Sequence, residues 1–102
     1  MAIRVTITYV RPDTSTDWYT ISDEHNTYVQ TNFVSNGKMI QDSTTTSADG
    51  LTRTFVHRYP NDSDRNDWMN PSLHATIKTH NETAAAYCAA NGISRTMVAE
   101  SI

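Results

Sequence analysis

Four histidines, His25, His57, His74 and His80, are the residues of this sequence best suited to proton transfer or metal ligation. A protein metal site needs at least three converging ligands, and neither a His-x3-His pair nor a His-Glu-x-x-His motif occurs. His74 and His80 stand six residues apart, which on a continuous helix turns them to different sides. The spacing therefore predicts no metal and no cofactor, with the histidines as surface or half-buried residues and His57 the best placed for a polar role. The run NDSDRND, Asn61 to Asp67, carries oxygen ligands like those of a calcium loop, but it lacks the Gly and the closing Glu that such a loop requires. It reads as a solvated loop. Cys88 sits among Ala84, Ala85, Ala86, Tyr87, Ala89 and Ala90, with no base or cation beside it in the sequence to activate a thiolate, and reads as a packing residue. There is no phosphate loop, nucleotide fingerprint, triad-like spacing or recognisable pair of catalytic carboxylates.

The segment RTFVHRY, Arg53 to Tyr59, alternates Phe55, His57 and Tyr59 with polar and apolar neighbours, so its chemistry depends on the element that holds it. Residues 3 to 10 alternate in the same way, with Ile3, Val5, Ile7 and Tyr9 against Arg4, Thr6 and Thr8, the period of a half-buried strand. Arg11-Pro12-Asp13 ends that strand and a loop runs to Asp17. From Trp18 the apolar positions recur at three- and four-residue steps through Phe33, which predicts a helix with Thr20 as its N-cap and Asn36-Gly37 as its stop. Lys38 to Thr46 and Leu51 to Tyr59 read as two strands joined at Asp49-Gly50. Pro60 to Asp67 is turn-forming, and Asn70-Pro71 starts a second helix that breaks near Thr79 to Glu82 and closes at Asn91-Gly92. Ile93 to Ile102 is the last strand.

Composition narrows the function classes. The chain has 102 residues, 37% hydrophobic and 19% charged, which suits one domain over residues 1–102. Two Trp, five Tyr and two Phe point to a packed core despite the Thr-, Ser- and Asn-rich surface. A formal net charge of −3 argues against nucleic acid and anionic membrane as partners. No apolar run approaches the roughly 20 residues of a membrane span. The N-terminus alternates instead of forming a signal peptide's apolar segment. A lone cysteine suits a reducing compartment, so the expectation is a soluble, cytoplasmic protein.

The order strand, helix, strand, strand, helix, strand is a split βαβ arrangement, and right-handed crossovers would give one antiparallel sheet with both helices on one face. The chain resembles the ferredoxin-like architecture, including the dimeric α+β barrel group, in topology over nearly its whole length. For the enzymes of that group the resemblance implies monooxygenase-like or haem-degrading chemistry. Trp68, His74 and His80 echo the Trp and His of the haem-degrading members, but Thr6 and Thr8 stand where those members carry an Asn on the first strand. The haem-degrading activity is therefore not carried over. RNA-recognition domains share the topology and stack bases on strand aromatics. RTFVHRY resembles their third strand without its glycines.

The bare face of such a sheet is where function is expected. Strand one offers it Arg4, Thr6, Thr8 and Val10 if Ile3, Val5 and Ile7 face the helices; strand three offers either Arg53, Phe55, His57 and Tyr59 or Thr54, Val56 and Arg58. Arg53, Phe55, His57, Tyr59, Arg4, Thr6 and Thr8 are the candidate binding residues. The expected protein is a small non-enzymatic binding or accessory protein of the kind viruses encode, acting through its sheet face or helix surface and partnered by a second copy of itself and by another protein.

Overall fold

A computed structural model describes residues 1–102. The chain forms an α+β structure: β1 (Ile3–Val10), α1 (Asp23–Val29), β2 (Ile40–Thr46), β3 (Thr52–Tyr59), α2 (Asp62–Trp68), α3 (Ala75–Ala90) and β4 (Ser94–Ser101). The four strands make one antiparallel sheet in the order β2-β3-β1-β4.

Side-chain alternation sets the two faces of this sheet. Ile3, Val5, Ile7 and Tyr9 lie level with Tyr59, His57, Phe55 and Arg53 on β3, and with Ser101, Ala99, Met97 and Arg95 on β4. This face meets all three helices. Arg4, Thr6 and Thr8, with Arg58, Val56 and Thr54 beside them, point the other way. The choice that alternation leaves open for strand three is thereby resolved: Phe55, His57 and Tyr59 are on the helix side.

Local chemistry moves several element boundaries from their expected places. Trp18 and Ile21 run ahead of α1 as loop, so Ser22, not Thr20, is the N-cap, and its hydroxyl accepts from the His25 amide at 3.2 Å. Beyond Val29 the helix widens into an i→i+5 turn over Gln30–Val34, where the Ser35 amide reaches the Gln30 carbonyl at 2.9 Å. Gly37, at φ +72°, lets the Lys38 amide return to the Phe33 carbonyl at 2.8 Å and ends the helix at the expected Asn-Gly pair.

NDSDRND is a helix. The Asn61 side chain caps the Asp64 amide at 2.8 Å, and Asp62 and Asp64 occupy the first turn, where the helix dipole favours acid. Asn70 accepts from the Ser72 amide at 3.0 Å and holds a separate turn, so α3 begins only at Ala75. It passes unbroken through Thr79 to Glu82, a stretch bridged by Lys78 and Glu82 at 2.6 Å.

The core is concentrated at one end of the helix-sheet interface. Val5, Val29, Phe33, Met39, Tyr59 and Ile77 are buried there in one cluster, with Phe33 0% exposed. Trp68 packs edge-on to Phe33 with centroids 4.9 Å apart. Cys88 and Ala84 are buried on α3, and burial pushes the Cys88 thiol up, away from the reactive thiolate. No helix is long and apolar enough to cross a membrane.

Candidate functional site

Toward the other end of the interface, where Tyr9, Arg53 and Arg95 share a level, helices and sheet enclose a cavity of about 540 Å³. That is within the usual range for a small-molecule pocket. Its sheet wall includes Phe55 and His57, its helix wall includes His25 and His80, and Trp18 and Tyr19 from the loop before α1 form a side.

The loop is held firmly enough to serve as a wall. Asp13 Oδ1 accepts from the Ser15 and Thr16 amides and hydroxyls at 2.8–3.1 Å. Arg11 donates through Nε to the Gly50 carbonyl and through Nη1 to the Thr16 carbonyl, each at 2.8 Å. Its guanidinium stacks 4.6 Å from the Trp18 ring centre, and that of Arg53 lies 5.0 Å from the same centre. The Tyr87 hydroxyl donates to the Asp17 carbonyl at 2.7 Å.

The electrostatics of the lining oppose those of the chain. Of eight Lys and Arg residues, Arg4, Lys38, Arg58 and Lys78 pair with carboxylates; Arg11, Arg53, Arg65 and Arg95 do not. Arg53, Arg65 and Arg95 all line the cavity, and none of the eleven Asp and Glu residues does. Arg65 is only 8% exposed; its guanidinium lies 5.5 Å from the Tyr59 ring centre and donates only to Met97 Sδ, at 3.7 Å. Arg95 donates through Nε to the Tyr9 hydroxyl at 3.1 Å.

His25, His57 and His80 complete the lining. Burial, aided by the neighbouring His80, takes His25 down to about 4. Burial lowers His57 against the pull of Asp42, and lowers His80, with Arg95 adding to the effect. At neutral pH all three are therefore uncharged imidazoles that can accept or share a proton. No three of the His, Cys, Asp and Glu side chains are grouped to hold a metal ion.

The candidate residues divide between two surfaces. Arg53, Phe55, His57 and Tyr59 are on the cavity side, while Arg4, Thr6 and Thr8 lie on the opposite face, where Arg4 is engaged by Glu100 at 2.9 Å. His74 is elsewhere, bonded to Tyr28 Oη at 2.6 Å and Asp67 at 2.8 Å. Trp18, His25, Arg65, His80 and Arg95 join the site without having been singled out as binding residues. For Arg95 the signal was present, because it has the same strand parity as Met97. Arg65 was hidden in a run read as loop.

The chain matches no protein-family model and no curated protein. Among solved structures it is similar to a hydantoinase/carbamoylase family amidase from Burkholderia ambifaria, at 14% identity and TM-score 0.44, over 98% of this chain and 27% of that one. It is also similar to a chain designated amidohydrolase/peptidase from Burkholderia cenocepacia, at 13% identity and TM-score 0.38, again over 98% of this chain and 27% of the other. At that distance neither neighbour says what this chain does.

Proposed function

We propose that this chain is a small-molecule-binding protein whose helix-sheet cavity receives an organic anion. The observation that carries the reading is the lining: three arginines without carboxylate partners and no acidic residue, in a chain with net charge −3. Aromatic walls supply apolar contact for the body of the ligand, and the guanidiniums supply charge-assisted donors for its head. The strand order β2-β3-β1-β4 supports the ferredoxin-like assignment, and the buried, unpaired Cys88 supports a reducing, cytoplasmic setting.

Both tryptophans, Trp18 and Trp68, line the cavity, so intrinsic fluorescence reports on its contents. Titration with aromatic and aliphatic carboxylates, aryl phosphates and their neutral amide counterparts is expected to give saturable changes with anions only. Saturation by the neutral compounds alone, or by none, overturns the reading. Haem belongs in the same titration, because a haem-binding protein of the dimeric α+β barrel type would show a shifted Soret band.

A second reading concerns the other face of the sheet. It carries no helix, and Val10 and Val98 are 40% and 60% exposed on it among threonines. We propose that a second copy of the chain covers it in an isologous pair. Sedimentation equilibrium at rising concentration should move the mass from 11.5 kDa toward twice that value, and a constant 11.5 kDa overturns the dimer.

A further inference from the structure

Arg65 is the one cation of this protein that is both buried and without a carboxylate. A guanidinium keeps its charge at any pH the protein meets, so burial cannot be relieved by losing a proton. Removing such a group from water is costly unless an anion or a set of good acceptors replaces the water. Its one protein acceptor is the thioether of Met97, a weak one, the Tyr59 ring contributes a cation-π contact, and the donors left over open onto the cavity. The carboxylates on its own helix do not serve it: Asp67 is committed to Lys38 and His74, and neither Asp62 nor Asp64 forms an ion pair with it.

The surroundings define what would complete the arrangement. The side chain lies across the floor of the cavity, from Tyr59 on β3 to Met97 on β4, with Trp68 one turn further along α2. Above that floor are flat groups: Phe55, the edge of Trp68 and the His25–His80 stack. Arg53 and Arg95 stand further along the sheet, level with Tyr9, and Arg95 is exposed.

Resting on the proposed role of the cavity, we propose that Arg65 is the anchor of the site and that its ligand is a planar aromatic carboxylate, bound with the carboxylate on the guanidinium and the ring among the aromatic walls. A carboxylate matches the planar fork of donors, and a flat ring matches the lining. Arg95, exposed at the edge of the cavity, attracts the anion without being its final partner, and Arg53, whose Nε is buried without a partner, can add a second donor.

The test uses 2-naphthoate as probe and 2-naphthamide as its neutral counterpart, read by tryptophan fluorescence on the wild-type chain, Arg65→Met, Arg65→Lys and Arg95→Met. Arg65→Met should weaken 2-naphthoate binding by about 10- to 100-fold, the range of a lost charge-assisted pair. It should leave the melting temperature of the ligand-free protein unchanged or raised, because an unpaired buried charge has been replaced by an apolar side chain of similar length. Arg65→Lys, which keeps the charge and loses the fork, should weaken binding by about tenfold and supplies the same readout if the Met variant does not fold. Arg95→Met should lower affinity only a few-fold, by an amount that shrinks as salt is raised. Wild-type-like binding of 2-naphthoate by either Arg65 variant overturns the anchor. Wild-type binding of aliphatic anions but not 2-naphthoate overturns the aromatic ligand while leaving the cavity's anion role intact. Failure of every anion to bind removes that role itself.

Discussion

The imidazole rings of His25 and His80 stack nearly parallel, with centroids 3.7 Å apart and planes 13° apart. Two elements distant in sequence, α1 and α3, thus touch through a pair of bases that cannot both take up a proton without repelling each other. The Nδ1 atoms of both rings are buried without a partner, so neither ring has a built-in counterion.

Acid sensitivity follows from that stack. His25 titrates near 6.5 in the unfolded chain and at about 4 in the folded one, so between those values the unfolded state binds more protons. The stabilisation from keeping it neutral is complete above pH 6.5 and is lost as pH falls toward 4. His57 and His80, also lowered by burial, act in the same direction. Urea denaturation from pH 7 to pH 4 should show this decline, and His25→Phe should flatten it. An unchanged slope in that variant would place the acid sensitivity elsewhere.

Asp67 ties three segments together. It accepts from Lys38 Nζ at 2.9 Å and bonds His74 Nε2 at 2.8 Å, while His74 Nδ1 shares a hydrogen bond of 2.6 Å with the Tyr28 hydroxyl. The His74 and Lys38 bonds hold the Asp67 carboxyl below the usual carboxylate range. Asp67→Ala is expected to cost about 1–3 kcal/mol of unfolding free energy, and Asp67→Asn, which keeps one acceptor, less. Equal losses in the two variants would show that the charge, not the bonding pattern, matters.

Tyr59 and Phe55 are four residues apart on one face of β3 yet have different surroundings. Tyr59 is 1% exposed within the core cluster, so Tyr59→Ala should cost about 3–5 kcal/mol, as other large aromatic truncations do. Both residues border the cavity, but Phe55 is only half-buried there and lies outside the core cluster, meeting Tyr9 edge-on at 5.8 Å. Phe55→Ala should cost about half as much, since a side chain beside open space loses fewer contacts on truncation. Thermal melts of the two variants decide the order.

Gly37→Ala isolates a backbone effect. Its φ of +72° disfavours any side chain, and no atom lies within 4 Å of where the new Cβ would stand. The expected loss is about 1 kcal/mol from conformation alone. A much larger loss would mean that the i→i+5 turn before it had rearranged, which amide exchange across Gln30–Val34 would reveal.

Strand content was legible because its signals are local: alternation marked β1 and β3, and Gly pairs marked the ends of α1 and α3. The two helix starts were misplaced by competition among capping residues. Thr20, Ser22 and Asn70 are all competent caps, and tertiary packing of Trp18 and the turn at Ser72 decides which of them serve. α2 was hidden because six of its seven residues are polar and show no apolar period, although Arg65 and Trp68 face inward three positions apart. The cavity was not legible at all. His25, His57 and His80 come to line one cavity from α1, β3 and α3, and only His25 and His80 touch, an arrangement for which no spacing rule exists.

The interface between helices and sheet is filled at one end and hollow at the other, in a chain with only eleven buried residues. An occupant of the hollow would supply apolar contact that the polypeptide itself omits, and would be absent from the unfolded chain's interactions. Folding and occupancy then become a single equilibrium, in which stability rises by RT ln(1 + [L]/Kd) with free ligand. With such an occupant, the amount of this protein that survives proteolysis in a cell would register the occupant's concentration.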